Sequence, residues 1–163
     1  MAETKIYIDD NIDKQLREEA MQRFGYGRGS ISRAAEEAVI QWLMKQDVIK
    51  NRISKAVDLA KNDPDVIALI IFGSYARKEG RYRDIDMAVV LSSRRNSFDE
   101  LVKYSNAVLS DDDRMFDVSI LNDLPVEMQR RALNDANVVY AKDKSGLYDY
   151  SINLMRNTDI AYA

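Results

Sequence analysis

Two aspartates, Asp84 and Asp86, flank Ile85 at the head of an apolar run from Met87 to Leu91. Residues two apart on a strand point to the same face, so the two carboxylates project together while Ile85 and Met87 face the other way. At a spacing of about 6–7 Å they repel unless a cation sits between them, and hard oxygen donors suit Mg²⁺. An isolated Asp-x-Asp reads more often as a strand entry with two solvated acids. Here, however, an unbroken apolar segment from Val66 to Phe72 ends at Gly73-Ser74, the pattern of a buried strand meeting a tight turn. Gly73 lets its backbone approach a ligand and Ser74 can cap a following helix, whose free N–H groups can receive a phosphate. A phosphate turn beside paired carboxylates favours the metal reading over the solvated one.

Gly73-Ser74, nine residues and then Asp84-Ile85-Asp86 resembles the nucleotidyltransferase signature of the polymerase-beta-like superfamily, in its minimal form. The resemblance extends over roughly residues 48–163. It implies an α+β domain, a mixed sheet flanked by helices, with a third carboxylate on a later strand. Met115 to Leu121 supplies Asp117, which alternation places with Met115 and Ser119, opposite Phe116, Val118 and Ile120. A charge within a strand calls for a partner. Asp111, Asp112 and Asp113 lie in a polar run that reads as a loop.

The resemblance assigns roles. Asp84 and Asp86 hold Mg²⁺ on ATP, and Asp117 completes the site for a second ion and assists deprotonation of an acceptor hydroxyl. Gly73 and Ser74 cradle the terminal phosphates. Arg77 either neutralises phosphate charge or is a surface arginine. Two positions depart from the usual pattern: Lys78 stands where many members carry Gly, and Arg83 where many carry Ser.

Composition narrows the chemistry. The chain has 163 residues, 46% of them hydrophobic and 31% charged, with net charge −3. That is a globular chain with no general attraction to nucleic acid or membrane. It lacks Cys and His, which excludes disulfides, thiolate chemistry, His-ligated zinc and imidazole acid–base catalysis. Carboxylates remain as the bases. No long apolar run or secretory leader pattern is present, so a cytoplasmic location and no membrane partner are expected.

Residues 1–46 read as a separate strand-helix-helix module preceding a catalytic domain at 47–163. Thr4 to Ile8 alternates as a short strand, Ile12 to Phe24 is an amphipathic helix, Gly25 to Gly29 ends it, and Ser30 or Ser32 caps a second helix. Such a piece buries little alone and needs a partner. The order resembles the ribbon-helix-helix family, which implies a homodimer with paired strands. The resemblance implies Ile6 and Ile8 in the core, with Lys5 and Tyr7 facing operator DNA and Ser30 near a phosphate. Seven basic against eight acidic residues in 1–46 leave dimerisation alone equally open.

From Ser32 to Lys61 there is no Gly or Pro, and the apolar spacing fits one continuous helix or two with a break near Gln46-Asp47. Later, Ser97 to Glu100 opens a helix with Leu101, Tyr104, Val108 and Leu109 inward. Pro125 starts a helix to about Leu133, Asn137 to Ala141 is a strand, and Ser145 or Gly146 begins the last helix, whose Tyr148 and Tyr150 pack on the domain.

The expected function is Mg-dependent adenylyl transfer to a hydroxyl. Small members of the resembled family typically act as antitoxins that modify a HEPN-domain toxin with AMP. The alternatives are adenylylation of a small molecule such as an aminoglycoside, a DNA-binding regulator that senses nucleotide, and an antitoxin that neutralises by binding alone.

Overall fold

The computed structural model describes residues 4–80, 82–93, 97–109, 115–142 and 144–159. The Asp111–Asp113 loop lies outside them. The chain divides into two compact units, Met1–Lys50 and Asn51–Ala163; the sequence reading set its boundary at 46/47.

The first unit contains helix α1, Asp10–Phe24. Asp9 caps it, its carboxylate accepting the Asn11 N–H at 2.9 Å, and Gly25 ends it at φ +82 with its N–H on the Met21 carbonyl. Helix α2 follows as a single element, Ser30–Lys61, with no break near Gln46. Arg23 Nη2 and Glu37 Oε1 join the helices at 2.6 Å. Thr4–Ile8, expected as a strand, has no regular structure, and Ile6 and Ile8, expected in a core, are exposed. A strand needs a neighbour for its backbone groups, and a single chain supplies none here.

In the second unit a four-stranded sheet has the order β3-β2-β1-β4. The strands are β1, Val66–Phe72, β2, Ile85–Leu91, β3, Phe116–Ile120, and β4, Asn137–Ala141. Strand β1 runs antiparallel to β2 and β4, while β2 and β3 are parallel, so the sheet is mixed. Burial on both faces explains why β1 and β2 read as continuous apolar runs. One face carries Ala68, Ile70, Ala88 and Val90, with Leu121 and Ala132 packed over it. The helices are α3, Gly73–Ala76, α4, Ser97–Val108, α5, Val126–Asn134, and α6, Lys144–Asp159. Tyr104 and Val108 of α4 are buried, whereas Leu109 falls just past the helix and is 47% exposed. Of the two late tyrosines, Tyr150 packs against the core and Tyr148 is exposed.

Two polar side chains close the frame. Asn122 accepts the Leu91 N–H and donates to the Leu91 carbonyl, both at 2.9 Å, standing in for a strand neighbour just beyond the end of β3. Gln129 donates to the Leu124 carbonyl at 2.7 Å and accepts the Tyr150 hydroxyl at 2.7 Å, which ties α5 to α6.

Candidate functional site

The site is built where β1 ends and where β2 and β3 begin. Phe72 pairs with Asp86 across the antiparallel ladder, and Asp86 pairs with Asp117 across the parallel one. Ile85 N–H donates to the Met115 carbonyl at 2.8 Å, which holds this register at its start. Phe72, Asp86 and Asp117 therefore form a row across three adjacent strands, each step about 4.8 Å, and Gly73 follows directly after Phe72 as the first residue of α3. Asp84 lies one residue ahead of β2, in the bend that enters it, and not on the strand as alternation alone expects. Asp84 and Asp86 are half-buried and Asp117 is exposed.

Gly73 is fixed by two constraints at once. Its φ is +72, and a Cβ there would lie 2.2 Å from Asp86 Oδ2. The Asp86 carboxylate thus occupies the space of a missing side chain, an approach only glycine permits. Ser74 does not cap α3; Phe72 holds the cap position and no side-chain cap bond forms. The helix begins one residue earlier than the sequence suggests, so its first-turn N–H groups start at Gly73 and lack acceptors within the helix.

The turn after α3 explains Lys78. Lys78 N–H donates to the Tyr75 carbonyl and Glu79 N–H to the Ser74 carbonyl, both at 3.1 Å. This pair of bonds is the Schellman ending, which places its C′ residue in the left-handed region. Lys78 sits there at φ +57, doing the work usually given to glycine. Tyr75 and Tyr82 then meet edge to face at 4.9 Å, closing the loop that returns the chain to Asp84. Arg77 donates Nε–H to Glu79 at 2.6 Å and pairs through Nη1 with Asp135. It is a tethered surface arginine whose charge also reaches Asp86.

The electrostatics are lopsided. Burial pushes the Asp86 carboxyl above its usual range, the charges of Asp84 and Asp117 push it further, and Arg77 offsets part of this. A hard divalent cation would relieve the repulsion, and the donors are all oxygen. Among the described residues no three acidic side chains converge as a closed metal cage. Mg²⁺ needs only one or two carboxylates, with substrate phosphates and water as its other ligands. Asp84 and Asp86 would be the carboxylates that hold such an ion, with Gly73 bringing the backbone close to Asp86.

The remaining expected residues lie in the first unit. Lys5 Nζ sits 5.1 Å from the centre of the Tyr7 ring, and Tyr7 is 84% exposed. Ser30 is buried and its hydroxyl donates to the Gly27 carbonyl at 3.2 Å, so it does not present a hydroxyl to a ligand. Among the described residues no helix is long and apolar enough to cross a membrane.

Sequence reasoning missed the cavity of about 470 Å³ between α4 and β3, where Ser105 and Leu109 face Asp84 and Asp117. The sequence carried no signal for it, since Leu109 reads there as one more inward residue of the helix stripe.

Among curated proteins none matches the chain. Solved structures of similar fold include one described as a toxin-antitoxin with AMP-PNP, at 17% identity and TM-score 0.49, covering 68% of this chain and 87% of that one. Another is a tri-AMPylated Shewanella oneidensis HEPN toxin in complex with MNT antitoxin, at 16% identity and TM-score 0.47, covering 68% and 86%. Residues 54–145, more than half of the chain, match the family described as polymerase beta, nucleotidyltransferase. With the Gly73-Ser74 turn, Asp84 and the paired Asp86 and Asp117 behind that match, this chain belongs to the polymerase beta nucleotidyltransferase family.

Proposed function

We propose that the protein transfers AMP from ATP to a hydroxyl group on a HEPN-domain toxin, acting as its antitoxin. The observation that carries the transfer reading is the pairing of Asp86 with Asp117 across β2 and β3, with Gly73, just past the end of β1, backed against the Asp86 carboxylate. The toxin partner is carried forward from the sequence resemblance. In the reaction the acceptor oxygen bonds to the α-phosphorus while the bond from that phosphorus to the pyrophosphate oxygen breaks. The acceptor proton passes to the Asp117 carboxylate and pyrophosphate departs as an anion. Mg²⁺ held by Asp84 and Asp86, and a second ion completed by Asp117, would neutralise charge on the attacking and leaving oxygens. Gly73 admits the terminal phosphates close to the backbone, beside the N–H groups that open α3. Arg77, held by Glu79 and Asp135, places a positive field beside Asp86 without being free to follow the ligand.

In this reading the first unit is a homodimerisation module. Val39, Ile40, Trp42, Leu43 and Met44 of α2 are 47–63% exposed, an apolar stretch that a second copy would cover. Operator contact through Lys5 and Tyr7 is the accessory role of the same module.

The test uses purified protein with α-labelled ATP, Mg²⁺ and the product of a neighbouring HEPN-type gene. Label moves to that protein with the wild type and not with Asp84→Asn or Asp86→Asn. Equal labelling by Asp86→Asn refutes the site; ATP binding without any label favours a nucleotide-sensing regulator.

A further inference from the structure

We propose that the cavity between α4 and β3 is the acceptor pocket and that Ser105 and Leu109 select the acceptor, a neutral hydroxyl carried on an apolar stem. This rests on the transfer reading above. The cavity, about 470 Å³, opens beside Asp84 and Asp117 and is walled by Arg83, Ser105, Leu109 and Phe116, a volume in the range of small-ligand pockets.

Position follows from the direction of displacement. Attacking and leaving oxygens lie in line on opposite sides of the phosphorus. With the terminal phosphates at Gly73 and Ser74, pyrophosphate leaves on the β1 side of Asp86. The acceptor then enters from the β3 side, where Asp117 lines the cavity. Strand β3 is the edge of the sheet, so no further strand of the sheet lies beyond it.

Chemistry narrows the acceptor. Asp84 and Asp117 are committed to the metal and to the acceptor proton, which leaves Arg83 as the uncommitted charge among the lining residues. A polycation such as an aminoglycoside meets that guanidinium and no spare acid. Leu109, Phe116 and Val118 instead offer apolar surface to a stem that ends in a hydroxyl at Asp117. Leu109, 47% exposed, sits where an incoming partner surface would cover it.

The experiment measures steady-state transfer from labelled ATP with Mg²⁺ to a purified HEPN-domain protein, and in parallel to kanamycin. Ser105→Trp, which fills the cavity, and Leu109→Asp, which charges its wall, are each expected to raise the acceptor KM about tenfold or more while the KM for ATP holds. A shift in the ATP KM with an unchanged acceptor KM overturns the assignment and gives the cavity to the nucleoside. Kanamycin labelled as efficiently as the protein overturns the acceptor class. Wild type that binds ATP and labels neither acceptor refutes the transfer reading itself, and the pocket falls with it. Leu109→Asp, at an exposed position, keeps the test decisive where Ser105→Trp lowers the melting temperature.

Discussion

At the scale of single residues, the site stores its instability in three places. Gly73→Ala would force a Cβ onto the Asp86 carboxylate and strain φ as well, so stability should fall by about 1–3 kcal/mol and transfer should be lost, read by thermal melting and the labelling assay. Asp86 is disfavoured as a carboxylate, because burial and then Asp84 and Asp117 raise its pKa. A raised carboxyl costs stability above its folded pKa and nothing below the ordinary value near 4. Asp86→Asn should therefore melt a few degrees above wild type at pH 7, with the gain vanishing as pH falls below about 4. Added Mg²⁺ should raise the wild-type melting temperature and leave Asp86→Asn nearly unmoved. Lys78 holds a left-handed conformation that glycine adopts freely, so Lys78→Gly should stabilise by about 0.5–1 kcal/mol in chemical denaturation.

Elements carry the next level. The strands that position the site were legible because β1 is apolar throughout and β2 is apolar from Met87 to Leu91, and Asn137–Ala141 because β-branched residues lie between turn signals. Asp117 was legible as a charge inside a strand. The α3 boundary was not, since Gly73 starts the helix through a close approach to Asp86 that only the folded ladder creates. Asn122 was equally silent. An asparagine in a polar-looking stretch gives no hint that it will be 7% exposed and paired twice with Leu91. Asn122→Leu should cost about 1–3 kcal/mol by leaving both Leu91 backbone groups unpaired, seen as a lower denaturation midpoint. Ladders and polar clamps of this kind join residues far apart in sequence, beyond the reach of any local pattern.

For the whole molecule, the division into units falls at Lys50/Asn51, and α2 runs unbroken through the stretch between Ser32 and Lys61 that lacks Gly and Pro, one of the two readings that stretch allowed. The strand expected at Thr4–Ile8 does not form, because that segment has no partner strand within one chain. The apolar stretch from Val39 to Met44 should bind a second copy, so Leu43→Glu should sediment as a monomer where wild type sediments as a dimer. Trp42 is the chain's single tryptophan and is 59% exposed on α2, outside the catalytic unit. Its emission is consequently a built-in optical probe of that stretch alone: dilution across the association range should red-shift it, while saturating the carboxylate site with Mg²⁺ and nucleotide should leave its colour unchanged.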